Sequence, residues 1–159
     1  MSDPYDAVVA TPLHDLLLGI RLEQGRLCSI DFLRGEWALQ SARHHIAREV
    51  AQQLARYFAD PRWVFDLPLA AIGTPFQQRV WQTLRGLRAG WPVTYGALAR
   101  ELGSSARAVG GACRANPIPI VIPCHRVVSA TGLGGFMGRT FGSETALKQW
   151  LLEHERGAA

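Results

Sequence analysis

The chain has no apolar run approaching the roughly 20 residues that cross a bilayer. Its longest apolar stretches, Leu16-Leu17-Leu18 and Ile118 to Ile122, have the length of core strands. Cysteine is scarce as well: Cys28, Cys113 and Cys124 form an odd, widely spaced set. Such a set suits a reducing compartment better than a disulfide framework and leaves at least one thiol free. The 159 residues are 48% hydrophobic and 19% charged, a balance that excludes disorder, collagen and coiled coil. A chain of this length makes one domain or two small ones and needs neither metal nor disulfide to fold. The opening Met1-Ser2-Asp3-Pro4-Tyr5-Asp6 is acidic and lacks the positive-then-apolar order of a signal peptide. A cytoplasmic location is therefore expected.

What is present is unevenly spread. The net charge of +4 divides at Gly73, after Pro68 and an Ala-Ala-Ile-Gly stretch that reads as a linker. Residues 1–72 carry 7 Arg against 9 acids, whereas residues 73–159 carry 10 Arg or Lys against 4. Two domains are expected with these bounds, the second being the candidate polyanion binder. Charge alone serves a solvated basic face equally well, so motifs must decide.

In the first half, short apolar runs over residues 5–33 alternate with turn signals at Thr11-Pro12, His14-Asp15 and Glu23-Gln24-Gly25. They predict two or three strands in a hairpin meander. Ile46, Val50, Leu54, Tyr57 and Phe58 recur at helical spacing until Asp60-Pro61, predicting one amphipathic helix. Residues 63–69 alternate around Asp66 and Pro68, which suits an edge strand. The second half opens with Thr74-Pro75-Phe76-Gln77, a hydroxyl cap, a first-turn proline and a glutamine placed for a capping box. Phe76, Val80, Leu84 and Leu87 keep one face of that helix. Thr94 then caps a short helix from Tyr95 to Leu102 that Gly103 ends, and Ser104 or Ser105 caps another from Ala106 to about Arg114. Helix, glycine turn, helix is the helix-turn-helix pattern, a weak signal by itself. The later helix has few bulky side chains, and each of its paired glycines, Gly110 and Gly111, costs about 1 kcal/mol relative to alanine. Close approach of DNA backbone or close helix packing would each account for them.

The chemistry concentrates in Asn116-Pro117-Ile118-Pro119-Ile120-Val121-Ile122-Pro123-Cys124-His125-Arg126-Val127-Val128. Nearby positive charge favours thiolate over thiol, and a neighbouring histidine is a base that can activate it. Adjacent residues of an extended strand face opposite ways, so a Cys124–His125 interaction requires a turn at Pro123 or a bridging water. A core cysteine beside a surface histidine is the plain alternative. Cys113, Cys124 and His125 lack paired metal-ligand spacing, so no metal is expected. Nothing near Cys124 suggests a papain-like protease either.

Pro123-Cys124-His125-Arg126-Val127 resembles the acceptor-cysteine signature of the O6-alkylguanine-DNA alkyltransferases. Further matches lie in order: Gly73-Thr74-Pro75-Phe76-Gln77 with Val80-Trp81, Thr94-Tyr95-Gly96, Arg107-Ala108-Val109-Gly110, Asn116-Pro117 and Lys148-Gln149-Trp150-Leu151-Leu152-Glu153-His154-Glu155. The resemblance spans about residues 73–155. It implies an α+β fold, with a small strand-rich, ribonuclease-H-like structural lobe followed by a mostly helical lobe carrying the helix-turn-helix. It further implies that Cys124 takes an alkyl group from O6 of guanine irreversibly, once per molecule and without a cofactor. His125 would pass the thiol proton through water toward Glu155, in a relay like a hydrolase triad, and Asn116 would brace the turn holding Cys124. The target base would be flipped out of duplex DNA, with Arg107 filling the gap and Tyr95 crowding the phosphate and donating to guanine. Ala106, Gly110, Arg114 and Arg126 would join the DNA surface, read through the minor groove with little sequence preference. The loop 131–142, with Gly135, Phe136 and Met137, would wall the alkyl pocket and offer N–H donors to the departing oxygen, with Pro119 as another wall and Lys148 beside it.

This sequence departs from the resemblance in a shorter helix-turn-helix turn, in Phe136 where many members have Tyr, and in a longer segment 137–145. Cys113 would sit on the recognition helix near the pocket but has no role in that scheme. The expected partner is duplex DNA bearing O6-alkylguanine, and the expected state in solution is a monomer. Two other classes stay open: an alkyltransferase-like protein that binds lesions without reacting, against which Cys124 argues, and a helix-turn-helix regulator that senses alkylation through its cysteine.

Overall fold

The computed structural model describes residues 4–138 and 142–158, and the chain divides into two compact units, Met1–Ile72 and Gly73–Ala159. Parts of the acidic opening and of the expected loop wall, residues 1–3 and 139–141, lie outside the described residues. The class is α+β, a sheet-based unit followed by a largely helical one.

In the first unit β1 (Ala7–Ala10), β2 (Leu17–Glu23) and β3 (Arg26–Leu33) form an antiparallel sheet in chain order. The β2–β3 reversal uses Gln24 and Gly25, with φ of 51° and 74°, the left-handed pair that a two-residue hairpin turn requires. A register shift near Arg21 and Leu22 inserts one residue into β3, so Leu27 and Ile30, three apart, are both buried. The helix α1 (His45–Ala59) packs on all three strands and buries Ala47, Val50, Leu54 and Tyr57. Each large apolar side chain so buried contributes about 1.5–3 kcal/mol.

The edge strand expected at 63–69 is not formed. Leu69 makes only an isolated bridge to Leu27, and Val64 is exposed. Gln53 of α1 replaces the missing ladder: its Oε1 accepts from the Asp66 N–H and its Nε2 donates to the Asp66 carbonyl, both at 2.9 Å.

The second unit contains α2 (Pro75–Leu84), β4 (Val93–Thr94), α3 (Tyr95–Leu102), α4 (Ala106–Arg114), a single 3-10 turn (Cys124–Arg126), β5 (Val127–Val128) and α5 (Ser143–Arg156). Thr74 and Gln77 form the full reciprocal capping box of α2. That helix ends at Leu84, before Leu87, because the Gly86 and Leu87 N–H groups tighten onto the Thr83 and Leu84 carbonyls. Thr94 and Ser105 cap α3 and α4 through their hydroxyls, and Gly103 adopts φ 63° to end α3. Trp81, 2% exposed, donates its indole N–H to the Ala112 carbonyl at 2.9 Å and ties α2 to α4. Parallel pairing of β4 with β5 sets Thr94, the cap of α3, opposite Val128. The turn bearing Cys124 is thereby fixed next to the helix-turn-helix.

Replacing Thr74 with alanine removes one half of the capping box, and a loss of about 1 kcal/mol in urea unfolding of the second unit is expected. An unchanged unfolding midpoint would contradict the cap's role.

Candidate active site

The apolar run Ile118 to Ile122 is a buried turn and not a strand. Ile120 takes φ 74°, a left-handed value rare for a β-branched residue, and Ile122 N–H returns to the Ile118 carbonyl at 2.9 Å. Asn116 clasps this turn from inside: its Nδ2 donates to the Ile122 carbonyl at 2.8 Å and its Oδ1 accepts from the Ile118 N–H at 3.0 Å. Strain of about 1–3 kcal/mol at such a residue persists only where the surroundings enforce it, and Asn116 supplies that enforcement. The next residues coil into the 3-10 turn, which breaks the strand alternation and buries Cys124, His125 and Arg126 together.

Behind the cysteine lies a buried ion cluster. Glu155 of α5 has no exposed surface, and its Oε2 is 2.7 Å from His125 Nε2. Arg126 donates from Nε to Oε1 at 2.9 Å, from a terminal nitrogen to Oε2 at 3.0 Å, and from the other to the Leu87 carbonyl at 2.8 Å. Burial opposes charge on Glu155, but the hydrogen bonds and charges of His125 and Arg126 outweigh it and bring its pKa down to about 2. The carboxylate carries no proton at neutral pH, so His125 Nε2 must be the donor. Burial holds the His125 pKa below its ordinary value, leaving the imidazole neutral with its lone pair on Nδ1. That nitrogen is buried and accepts no hydrogen bond from the described residues.

Cys124 opens on a cavity of about 600 Å³. Of the expected site residues, Tyr95, Ala106, Arg107, Gly110, Arg114, Gly135, Phe136 and Met137 line it with Cys124, and Cys113, Gly111 and Gly138 line it in addition. Arg107 and Arg114 are exposed at its edge. A Cβ built on Gly110 or Gly111 would meet nothing within 4 Å, so packing inside the chain does not demand these glycines. They keep one face of α4 low where it borders the cavity.

Four expectations change. Arg126 does not face the DNA surface; it is 8% exposed, and its guanidinium is committed to Glu155 and Leu87. Pro119 is buried inside the 118–122 turn, bridged to Ile122, and is not a cavity wall. Lys148, the chain's one lysine, lies behind the wall with no exposed surface. Its ammonium donates to the Val127 carbonyl at 2.7 Å and the Gly135 carbonyl at 2.9 Å, with the Tyr95 hydroxyl at 3.5 Å. It thus ties α5 to β5 and to the loop wall, and burial pushes its pKa down to about 8. Finally, Cys124 is not a resting thiolate. Burial raises its pKa against the smaller opposing effects of Asn116 and Lys148, and Arg126 is neutralised by Glu155. The thiol must lose its proton during the reaction.

The sequence did not signal the Leu87 carbonyl as a partner of Arg126. It placed Cys113 on the recognition helix near the pocket without a role, and Cys113 indeed stands on the buried side of α4 and lines the cavity.

The chain that carries this site has relatives among known proteins. Residues 75–157 match the family model of the 6-O-methylguanine DNA methyltransferase, DNA binding domain. The constitutive methylated-DNA–protein-cysteine methyltransferase of Bacillus subtilis is 37% identical in an alignment of 163 positions that covers 96% of this chain and 95% of that one. The crystal structure of the Mycobacterium tuberculosis O6-methylguanine methyltransferase superposes with a TM-score of 0.77 at 33% identity, over 96% of this chain and 92% of that one. A DNA base-flipping protein of Thermus thermophilus is 45% identical over 113 residues, or 69% of this chain and 74% of that one. The chain belongs to the O6-methylguanine DNA methyltransferase family.

Because the folded pKa of Glu155 is depressed to about 2 from 4.5, its ionised form stabilises the fold above about pH 4.5, and that contribution fades as pH falls through 2. In urea unfolding across pH, the gap between wild type and Glu155→Gln should be constant above pH 4.5 and shrink toward pH 2. A gap independent of pH would contradict a buried, ionised Glu155.

Proposed function

We propose that this chain is a single-turnover DNA repair protein that transfers the alkyl group, typically methyl, of O6-alkylguanine irreversibly to its own Cys124. The observation that carries the reading is the burial of Cys124 at the floor of a cavity bordered by the bare face of α4, with the His125–Glu155 pair behind it. The relatives' names, which concern methylated DNA and protein cysteine, favour the same chemistry.

The duplex binds across α3 and α4, where the lack of side-chain bulk at Ala106, Gly110 and Gly111 admits the DNA backbone. Arg107 and Arg114 contribute charge at the cavity edge. The modified base leaves the stack, at a cost of a few kcal/mol, and Arg107 takes its place. Cys124 yields its proton, through a water, to Nδ1 of His125, and Glu155 stabilises the imidazolium that results. The sulfur then attacks the alkyl carbon; the C–S bond forms as the C–O6 bond breaks, with its electron pair passing to guanine O6. Tyr95, whose pKa burial pushes up to about 12, stays protonated and donates to the guanine ring. With Phe136 in place of a phenol, the loop's N–H groups supply the remaining donors to the oxygen. Arg126 is a positioning residue that fixes the carboxylate orienting His125. The product is a neutral thioether, so each molecule acts once and no cofactor is consumed.

Incubation with a duplex bearing one O6-methylguanine should add one methyl group to the Cys124 peptide in mass spectrometry. Tight binding without that gain would favour the lesion-flagging class. Cys124→Ser should retain lesion binding and lose transfer altogether; transfer by this variant would overturn the nucleophile assignment. Glu155→Gln should slow single-turnover transfer by about 10²-fold or more, the scale of a lost general base, and an unchanged rate would remove the relay. Arg107→Ala should slow repair in duplex far more than reaction with free O6-alkylguanine, and equal losses would remove its role in flipping.

A further inference from the structure

The transfer to Cys124 leaves a second nucleophile of the same cavity unused. Cys113 is 7% exposed, lies on the inward side of α4 and lines the cavity together with Cys124. Tyr95 lines the same cavity as the two sulfurs. An aliphatic side chain would suffice for a wall of this kind. A thiol there gives the cavity a further reactive atom, and its consequence depends on the group transferred.

A methyl thioether on Cys124 is inert. A two-carbon group that still bears a leaving group is not, because the new thioether sulfur can displace it. We propose that Cys113 is a second acceptor, and that with an O6-(2-haloethyl)guanine lesion the chain closes a two-carbon bridge between Cys124 and Cys113. This rests on the transfer to Cys124 proposed above. In the first step the Cys124 sulfur bonds to the haloethyl carbon, and the C–O6 pair departs to guanine. In the second, a lone pair of that sulfur closes onto the neighbouring carbon and halide leaves with the carbon–halogen pair, giving a three-membered episulfonium ring. In the third, the Cys113 sulfur bonds to a ring carbon, the ring C–S pair returns to the Cys124 sulfur, and the Cys113 proton passes to water. Hydrogen halide is the net loss, and neither oxidant nor reductant takes part.

The cavity favours the third step in two ways. Cys113 stands on the wall of the cavity into which Cys124 opens, so its sulfur competes with water for the cation formed there. Burial pushes the Cys113 thiol up to about 12. The episulfonium on the Cys124 sulfur places a positive charge in the same cavity, which draws Cys113 toward thiolate. Closure requires that the sulfurs approach within the span of two C–S bonds and one C–C bond.

The test is intact-mass spectrometry with peptide mapping of the full chain after reaction with duplexes carrying either O6-methylguanine or O6-(2-chloroethyl)guanine. The expected results are one methyl group on Cys124 in the first arm and, in the second, a gain of C2H2 with the Cys113 and Cys124 peptides joined by a link that dithiothreitol does not break. In Cys113→Ser the chloroethyl arm should instead give 2-hydroxyethyl-Cys124 or a protein–DNA crosslink. Wild-type protein that ends as 2-hydroxyethyl-Cys124 with Cys113 still reactive toward maleimide would overturn the bridge and leave the transfer intact. Absence of modification at Cys124 in both arms would overturn the transfer and the bridge with it.

Discussion

A carboxylate with no exposed surface is costly unless every oxygen is answered, and Glu155 meets that condition with His125 and Arg126. Much of the site follows from this one cluster. Because Glu155 stays ionised, His125 must present Nε2–H to it and keep a lone pair on Nδ1. Because Arg126 is neutralised, the neighbouring thiol gains little electrostatic help and rests protonated. The cavity therefore stores an unreactive cysteine beside a base already in the tautomer able to receive its proton. Removing Arg126 would leave the buried Glu155 charge uncompensated, at a cost of about 3–5 kcal/mol, so the cluster is also a structural keystone of the second unit.

The cluster would be useless without backbone that turns Cys124 toward the cavity while His125 and Arg126 point to α5. Asn116 and the left-handed Ile120 make that turn, and the pairing of β4 with β5 fixes it against the first residue of α3, Tyr95. Lys148 joins the same assembly from α5 through carbonyls of β5 and of the loop wall. The reactive thiol, the bare face of α4 and the loop are thus connected by short, buried hydrogen bonds.

Much of this was legible in the residues because caps are local. Thr74 with Gln77, Thr94 with Gly103, and Ser105 are short-range devices, and the helices began where those residues stand. Residues 63–69 misled for the opposite reason: their alternation is genuine, but the partner that holds them is a glutamine side chain on α1, invisible to periodicity. The site divided in the same way. The resemblance named Cys124, His125, Glu155 and Asn116, and the fold brings them together, but adjacency to a signature could not say which way Arg126 points. Nor could positive neighbours reveal that burial outweighs them at Cys124. Cys113 looked idle because its helix carries small residues for a different surface.

A buried, ionised Glu155 holds His125 neutral with its proton on Nε2. The direct test is nitrogen NMR of histidine-labelled protein at neutral pH, with the His125 signals assigned by comparison with Glu155→Gln. The free protein should show a protonated Nε2 and an unprotonated Nδ1. A proton on Nδ1, whether as the other tautomer or as imidazolium, would contradict it, since the thiol proton would then have nowhere to go.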